Sequence, residues 1–223
     1  MVSHDGTLLL RDYNRYWENM GSRSSALYDF LNAKYVIGHK NVELDWNKFS
    51  LAYDGDPAVN VYRNSQVLPR FYMVRSAWPA DDQEAAFDLI HRPKFDPATT
   101  VVVEGGQEMT GTPSGEDVVK VASYNLNDIA LDVETTADGY LVMSEVFYPG
   151  WEAIVDGQAA PILRANYAFR AIFLQAGDHR VELRYRPLTW RVGLGLAGAT
   201  CLLLIGWAIW AWRRQLDGRH RRN

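Results

Sequence analysis

Glu145 is the residue whose surroundings in this sequence most strongly suggest chemistry. In the run YLVMSEVF, Glu145 is separated from Leu141 and from Phe147 by an even number of positions. If the run forms a strand, the three side chains project from the same face, and the carboxylate of Glu145 lies on an apolar face. A carboxylate on such a face is costly unless a cation pairs with it. We therefore predict a buried ion pair of Glu145 with Arg170, or with Arg164 as the alternative partner. A catalytic acid is the less favoured role for Glu145.

Two aromatic residues flank a predicted tight turn in the run YPGW at 148–151. The proline sets φ for the first turn position, and the glycine supplies the positive φ of a type II turn. The rings of Tyr148 and Trp151 are of the kind that stacks on the apolar face of a sugar, and similar rings also fill β-sandwich cores. Packing is the favoured role for the two rings, and glycan binding is the alternative.

Metal and cofactor chemistry find little support in the residue spacing. None of the five histidines lies two, three or four residues from another, so the usual ligand spacing is missing. The pattern Gly193-x-Gly195-x-x-Gly198 spells a dinucleotide fingerprint, but it lies inside an apolar run and not between a strand and a helix. The single cysteine, Cys201, lies in the same run. We predict no metal site and no cofactor in this chain.

A membrane helix is predicted near the carboxyl terminus. The 21 residues of Val192–Trp212 carry no charge, and a helix of that length spans roughly 30 Å, the thickness of one hydrocarbon core. We assign residues 188–212 to this helix and 213–223 to a basic tail. Side chains suited to anchor the helix at the two membrane faces flank it: Trp190, Trp207, Trp210, Trp212, Arg213 and Arg214.

The charges around this helix predict its orientation. The tail carries five arginines and one aspartate, and short basic flanks stay on the cytoplasmic side. The residues before Arg191 are then extracytoplasmic. Residues 1–212, which precede the basic tail, carry a net charge of −8 that disfavours a nucleic acid partner. The opening MVSHDGTLLLRDYNRYWENM lacks the basic region and apolar run of a signal peptide. We therefore expect this chain to be the carboxyl-terminal piece of a longer protein of the cell membrane.

The first half of the chain has a mixed pattern. A helix followed by a strand is predicted from Ser22 onwards, and a second helix in DDQEAAFDLIH. Short strands are predicted in FSLAYDGD, AVNVYRN and RFYMVR. Two prolines and a helix end lie between Arg92 and Thr100, which places a boundary near Asp96. Residues 1–96 are therefore predicted to form an α+β subdomain.

After Asp96 the hydrophobic pattern alternates with period 2. Turn pairs such as Asp138-Gly139 and Asp156-Gly157 separate strand-like runs. These strand-like runs are TTVVVE, DVVKVASY, DIALDVET, YLVMSEVF, WEAIVD, APILRA, FRAIFL and HRVELRY. Residues 97–187 are therefore predicted to form a mainly antiparallel, jelly-roll-like β-sandwich.

Four stretches resemble the YfhO-type bacterial membrane proteins, which are similar to glycosyltransferases of the C superfold. They are LNAKYVI from Leu31, VYRNSQVLPRFYMV from Val61, SEVFYPGWEAIVDG from Ser144 and ANYAFRAIFLQAGDHRVELRYRP from Ala165. In this family such a segment is the last extracytoplasmic domain, followed by a closing helix. The resemblance therefore implies the same topology as the charge pattern.

The resemblance also implies a functional context. Related enzymes transfer a sugar from a polyprenyl-phosphate carrier, using an acidic residue in their first extracytoplasmic loop, and no catalytic residue of that kind transfers to this chain. We expect an outer cap or acceptor-side module whose partners are the lipid bilayer, other membrane helices, and a lipid-linked sugar or cell-envelope glycan. The alternative is a membrane-tethered glycan- or protein-binding module without catalysis. A tethered glycoside hydrolase ranks last, since no facing pair of carboxylates is evident.

Overall fold

The computed structural model describes residues 10–112 and 117–220, with only the backbone described for Arg191 and residues 211–220. The helices in these residues are α1 (Arg11–Asn19), α2 (Ala26–Phe30), α3 (Gln83–Ile90) and α4 (Leu188–His220). The strands in the same residues are β1 (Tyr35–His39), β2 (Phe49–Tyr53), β3 (Val59–Asn64), β4 (Phe71–Val74), β5 (Ser76–Ala80), β6 (Thr100–Glu104), β7 (Val118–Tyr124), β8 (Asp128–Thr135), β9 (Gly139–Val146), β10 (Trp151–Val155), β11 (Gln158–Ala160), β12 (Leu163–Ala165), β13 (Phe169–Leu174) and β14 (Gly177–Tyr185).

The described strands form three sheets. Their orders are β1-β3-β2, β11-β10-β14-β8-β7 and β4-β9-β13-β12-β6-β5. Most neighbouring strands run antiparallel, whereas β5 and β6 are parallel. The predicted fold class is confirmed in these terms: mostly antiparallel sheets, small helices near the amino terminus and one apolar carboxyl-terminal helix.

The six-stranded sheet combines strands from both halves of the chain. Strands β4 and β5 precede Asp96, whereas β6, β9, β12 and β13 follow it. Strand β9 pairs with β4 on one side and β13 on the other. Its first five residues are all buried, so both faces of the strand are covered, which explains why its sequence is apolar at both parities. The boundary predicted near Asp96 therefore does not separate one sheet from another.

An aromatic cluster packs the first two helices onto this sheet. The ring centroid of Phe169, on β13, lies 4.9 Å from that of Tyr16 on α1 and 4.7 Å from that of Phe30 on α2, both in edge-to-face geometry. All three side chains are almost fully buried. The Tyr16 hydroxyl donates a hydrogen bond of 2.8 Å to the Leu27 carbonyl, so its polar atom is satisfied in the core. Residues far apart in sequence therefore share one core.

A buried ion pair joins α2 to the segment before β2. Lys48 Nζ lies 2.8 Å from Asp29 Oδ1, and the two side chains are only 1% and 7% exposed. Asn64 donates a 2.7 Å hydrogen bond to the same carboxylate oxygen, and Lys48 donates another to the Ser25 carbonyl at 3.1 Å. Ser25 also caps α2 by accepting from the Leu27 amide. Both charges of the pair are thus compensated inside the protein.

The chain divides into two compact units. The first comprises Met1–Tyr148 and Glu152–Arg184, and the second comprises Pro149–Trp151 and Tyr185–Asn223. In the second unit, Leu188–Trp210 is long and apolar enough to cross a membrane, with none of that stretch buried by protein. The prediction of one carboxyl-terminal apolar helix is therefore confirmed at the level of length and composition.

Candidate functional site

Glu145 lies near the end of β9 and Arg170 near the start of the neighbouring β13. Arg170 is 1% exposed, and its Nη2 lies 3.3 Å from Glu145 Oε2. The other carboxylate oxygen, Oε1, lies 3.3 Å from Arg70 Nη1 and accepts a 2.6 Å hydrogen bond from the Tyr124 hydroxyl. The structure therefore brings together the two residues of the predicted pair and adds two partners that the sequence did not indicate.

The electrostatics of this cluster favour ion pairing over proton transfer. Burial lowers the pKa of Arg170, and the Glu145 carboxylate partly offsets that effect. Burial also raises the pKa of Tyr124, with a further increase from its hydrogen bond to Glu145. Because protein groups engage both oxygens of Glu145, the carboxylate has little freedom to exchange a proton with a substrate.

Arg164, the alternative partner, is instead at the centre of a second cluster. Its Nη1 lies 2.8 Å from Asp12 Oδ2 and its Nε 3.5 Å from Glu104 Oε1. Burial raises the pKa of Glu104. Burial acts in the same direction on Asp12, but hydrogen bonds from Gln83 and Arg164 outweigh it and lower the pKa of that carboxyl. Opposite shifts are typical of acid and base pairs, but here one guanidinium ties the two carboxylates together.

The two rings of the YPGW turn lie in different units. Tyr148 is 44% exposed and ends a segment of the first unit. Trp151 is half-buried in the second unit, where its ring centroid lies 5.4 Å from that of Tyr185. Gly150 has a φ of 103°, as the predicted turn requires. The contact with Tyr185 suits packing of Trp151, and glycan binding by either ring stays a prediction.

The predicted membrane anchors lie along α4. Trp190, Trp207 and Trp210 are 72%, 66% and 51% exposed. Trp190 is near the beginning of the apolar stretch, and the other two are near its end, as expected for rings at two membrane faces. The remaining predicted anchors lie outside the described side chains: Trp212, Arg213 and Arg214.

An open cleft that the sequence did not indicate lies at the end of α1. Its volume is about 700 Å³, within the range of small-molecule sites. Trp17 and Met20 contribute apolar surface to its lining, whereas Arg23, Glu43 and Asp45 contribute charge. The cleft therefore combines an indole with charged groups of both signs, which suits a polar ligand that also has an apolar face.

A second cleft of about 400 Å³ contains a histidine and an aspartate in contact. His179 Nδ1 lies 2.7 Å from Asp156 Oδ2, and its Nε2 lies 2.9 Å from the Gln175 carbonyl oxygen. Each ring nitrogen thus faces an acceptor, an arrangement that favours the doubly protonated imidazolium. A general base needs a free nitrogen directed at its substrate, so this pair suits a structural clamp.

His179 should make stability depend on pH. Burial lowers the pKa of His179, but hydrogen bonds to Asp156 and to the Gln175 carbonyl outweigh it and raise the pKa above 6.5. A raised folded-state pKa stabilises the fold fully below the unfolded value, and this contribution is lost as pH rises through the folded value. His179→Gln should therefore lower the melting temperature more at about pH 5.5 than at about pH 8.5. Thermal melts of the full chain in detergent would measure this difference.

Asp156 provides the control for that measurement. Hydrogen bonds from His179 and from the Arg180 amide lower its pKa, so it stays charged across both pH values. In an Asp156→Asn background, His179→Gln should show much weaker pH dependence. An equal effect at both pH values in the unmodified background would show that the clamp does not depend on imidazolium charge.

Metal binding has no candidate centre in residues 10–112 and 117–220. No group of three or more His, Cys, Asp and Glu side chains in those residues is placed to hold a metal ion. Cys201 lies in α4 as a free thiol. The two clefts instead offer a ligand hydrogen bonds, charges and aromatic contacts.

The described residues thus form β-rich sheets followed by one helix that is long and apolar enough to cross a membrane. Residues 114–197 match the family described as bacterial membrane protein YfhO. This match confirms the predicted resemblance to YfhO-type membrane proteins. Over 83 residues the chain is 26% identical to the uncharacterized protein YfhO of Bacillus subtilis (strain 168). No solved structure matches the chain significantly.

The two proteins overlap only in part. The aligned region covers 37% of this chain and 10% of the Bacillus subtilis protein. The family match runs from just before β7 into the first part of α4. It therefore includes Glu145, Arg170 and Tyr124 as well as the His179 clamp, whereas Arg70 and the cleft at Trp17 lie outside it.

Proposed function

We propose that this chain is the extracytoplasmic β-rich module and closing membrane helix of a larger YfhO-type protein. In that protein it would act as an acceptor-side cap during transfer of a sugar from a lipid carrier to a cell-envelope glycan. The observation that carries the proposal is the family match, which is continuous from β7 into α4. The match supports treating strands β7 to β14 and the first part of α4 as one inherited segment.

The orientation of this segment can be tested directly. Five arginines follow α4's apolar stretch, and such short basic flanks are retained in the cytoplasm. Alkaline phosphatase fused after Gly177 of the full-length protein should therefore be active, and the same reporter fused after Arg222 should be silent. The reverse pattern would contradict the proposed topology.

The proposed cap binds and does not catalyse. Guanidinium groups hold the acidic candidates in ion pairs. Arg170 and Arg70 both pair with Glu145. Arg164 pairs with Asp12. We expect the purified chain to leave a polyprenyl-phosphate-linked sugar unchanged, as measured by chromatography of the lipid donor. Turnover by the chain alone would overturn this assignment.

The open cleft at Trp17 favours a second candidate, a membrane-tethered module that binds a glycan or protein without any associated chemistry. Its volume and mixed polarity fit a small polar ligand. The same donor assay on the full-length protein separates the two candidates. Sugar transfer by the full-length protein supports the cap, whereas absence of transfer together with retained ligand binding supports the tethered module.

A further inference from the structure

Two short segments from distant parts of the sequence come together at the beginning of α4. They are Pro149–Trp151 and residues 185–187, and both belong to the second unit together with α4. We call these two segments the neck. Helix α4 continues directly from the neck, since the Trp190 amide donates a hydrogen bond of 3.1 Å to the Pro187 carbonyl. The neck therefore lies at the amino-terminal end of α4.

Three contacts hold the two segments of the neck together. The Arg186 amide donates a 2.6 Å hydrogen bond to the Gly150 carbonyl, and the ring centroids of Trp151 and Tyr185 are 5.4 Å apart. The backbones approach so closely that a Cβ atom at Gly150 would lie 3.0 Å from the Pro187 Cα. Trp151, which precedes α4 by many residues in the sequence, is thus held close to the segment that leads into α4.

The length of α4 determines how far the neck can be from the hydrocarbon core. At about 1.5 Å per residue, the apolar stretch Leu188–Trp210 spans roughly 34 Å, slightly more than the hydrocarbon thickness of about 30 Å. The first turn of the helix therefore reaches the headgroup layer. Because an extended chain advances at most about 3.6 Å per residue, the Tyr185 Cα lies within roughly 11 Å of the Leu188 Cα. The neck is thus within reach of the headgroups.

The side chains of the neck suit a headgroup layer. Trp and Tyr rings combine an apolar body with a polar N–H or O–H group, and they favour the membrane–water interface. The rings of Trp151 and Tyr185 are half-buried, so each keeps part of its surface accessible. Arg186 is exposed, and the exposed Glu152 follows Trp151 directly. Charges of both signs therefore lie beside the rings, and the neck has no preference for anionic lipid.

We propose that the neck is an interfacial anchor, in which the rings of Trp151 and Tyr185 lie among the lipid headgroups of the leaflet where α4 enters the bilayer. Lipid is the expected occupant because the neck is continuous with a helix able to span a membrane. The neck thereby adds two rings to Trp190, the anchor that the sequence indicated at this end of α4. The proposal holds for either face of the membrane, so its test is independent of the reporter fusions that test the topology.

The depth of Trp151 can be measured by fluorine NMR of the full chain labelled with fluorotryptophan. The chain would be reconstituted in phosphatidylcholine nanodiscs, and Trp151→Phe and Trp190→Phe, which each keep an aromatic ring, would assign the two signals. A spin label on the lipid headgroups should cause loss of both signals, because paramagnetic broadening is strong at short distance. A spin label at the end of the acyl chains should leave both signals visible. A Trp151 signal that persists under the headgroup label that removes the Trp190 signal would overturn the proposal.

A variant of the neck makes this result specific. In Gly150→Val the new side chain would crowd the other segment of the neck, so the Trp151 signal should reappear under the headgroup label while the Trp190 signal stays lost. The signal of Trp78, whose ring centroid lies 6.0 Å from that of Phe95, should keep its chemical shift and so show that the fold is retained. If the Trp151 signal stays lost although the Trp78 signal is unchanged, the neck contacts do not position the ring. A Trp151 signal in the parent chain that survives the headgroup label and shifts on addition of an N-acetylglucosamine oligomer would also overturn the proposal, because the ring would then bind sugar in water.

Discussion

Replacing Asp29 with asparagine is expected to lower the free energy of unfolding by about 3 to 5 kcal/mol, because it leaves the buried charge of Lys48 without its partner. The side chain of Lys48 is 1% exposed, so water cannot replace the lost carboxylate. Asparagine keeps the oxygen that accepts from Asn64, so shape and that hydrogen bond are preserved. Denaturation of the full chain in detergent, followed by tryptophan fluorescence, should show a fall in Tm of roughly 10 °C.

Two control variants show whether the loss of stability comes from the buried charge of Lys48 and not from the loss of an ion pair in general. Lys120 and Glu134 are 3.1 Å apart but 65% and 54% exposed, so Lys120→Gln should change stability by less than about 1 kcal/mol. The double variant Asp29→Leu with Lys48→Met should recover much of the loss, since an apolar pair removes both buried charges. If Asp29→Asn is no more destabilising than Lys120→Gln, the charge of Lys48 is not isolated from solvent.

Replacing Phe169 with alanine is expected to cost about 3 to 5 kcal/mol, the usual range for a buried aromatic residue. Its ring makes edge-to-face contacts with Tyr16 and Phe30 as well as with Tyr13, whose ring centroid is 6.2 Å away. The substitution thus removes contacts of α1 and α2 with β13. Equilibrium unfolding in denaturant should show a lower midpoint.

The same experiment tests whether residues on both sides of Asp96 unfold together. Because β4 and β5 share a sheet with β6, β9, β12 and β13, Phe169→Ala should shift one cooperative transition. Leu126→Ala, at a 95% exposed position, should leave the midpoint nearly unchanged. Two transitions, of which the variant shifts only one, would show that the two halves unfold independently.

Features of the fold that depend on local periodicity could be predicted from the sequence. The uninterrupted apolar run that forms most of α4 can be recognised in the sequence without any knowledge of its tertiary contacts. Alternation with period 2 located the strands after Asp96, as in β8 and β14, where Leu131 and Val181 face inward with 0% exposure. In both cases the local pattern of apolar residues is enough to indicate the type of element.

Elements whose environment is set by distant residues were missed. Strand β5 contains Pro79, which argues against a strand, but β5 is the outer strand of its sheet and tolerates a residue without an amide hydrogen. Helix α1 has no side-chain cap at Leu10. The packing of α1 depends on Tyr16, whose ring contacts the ring of Phe169, a residue far away in the sequence.

The sequence alone determined the class of this protein: a charged β-rich part, a helix of membrane length and a resemblance to YfhO. Only the tertiary structure decided which charges meet. The arginines at 164 and 170 were both possible partners of Glu145, yet Arg164 binds Asp12 and Arg170 binds Glu145. The physical reason is that strand pairing uses backbone hydrogen bonds common to all residues. Partners separated by many residues are therefore selected by the packing of the whole unit and not by local pattern.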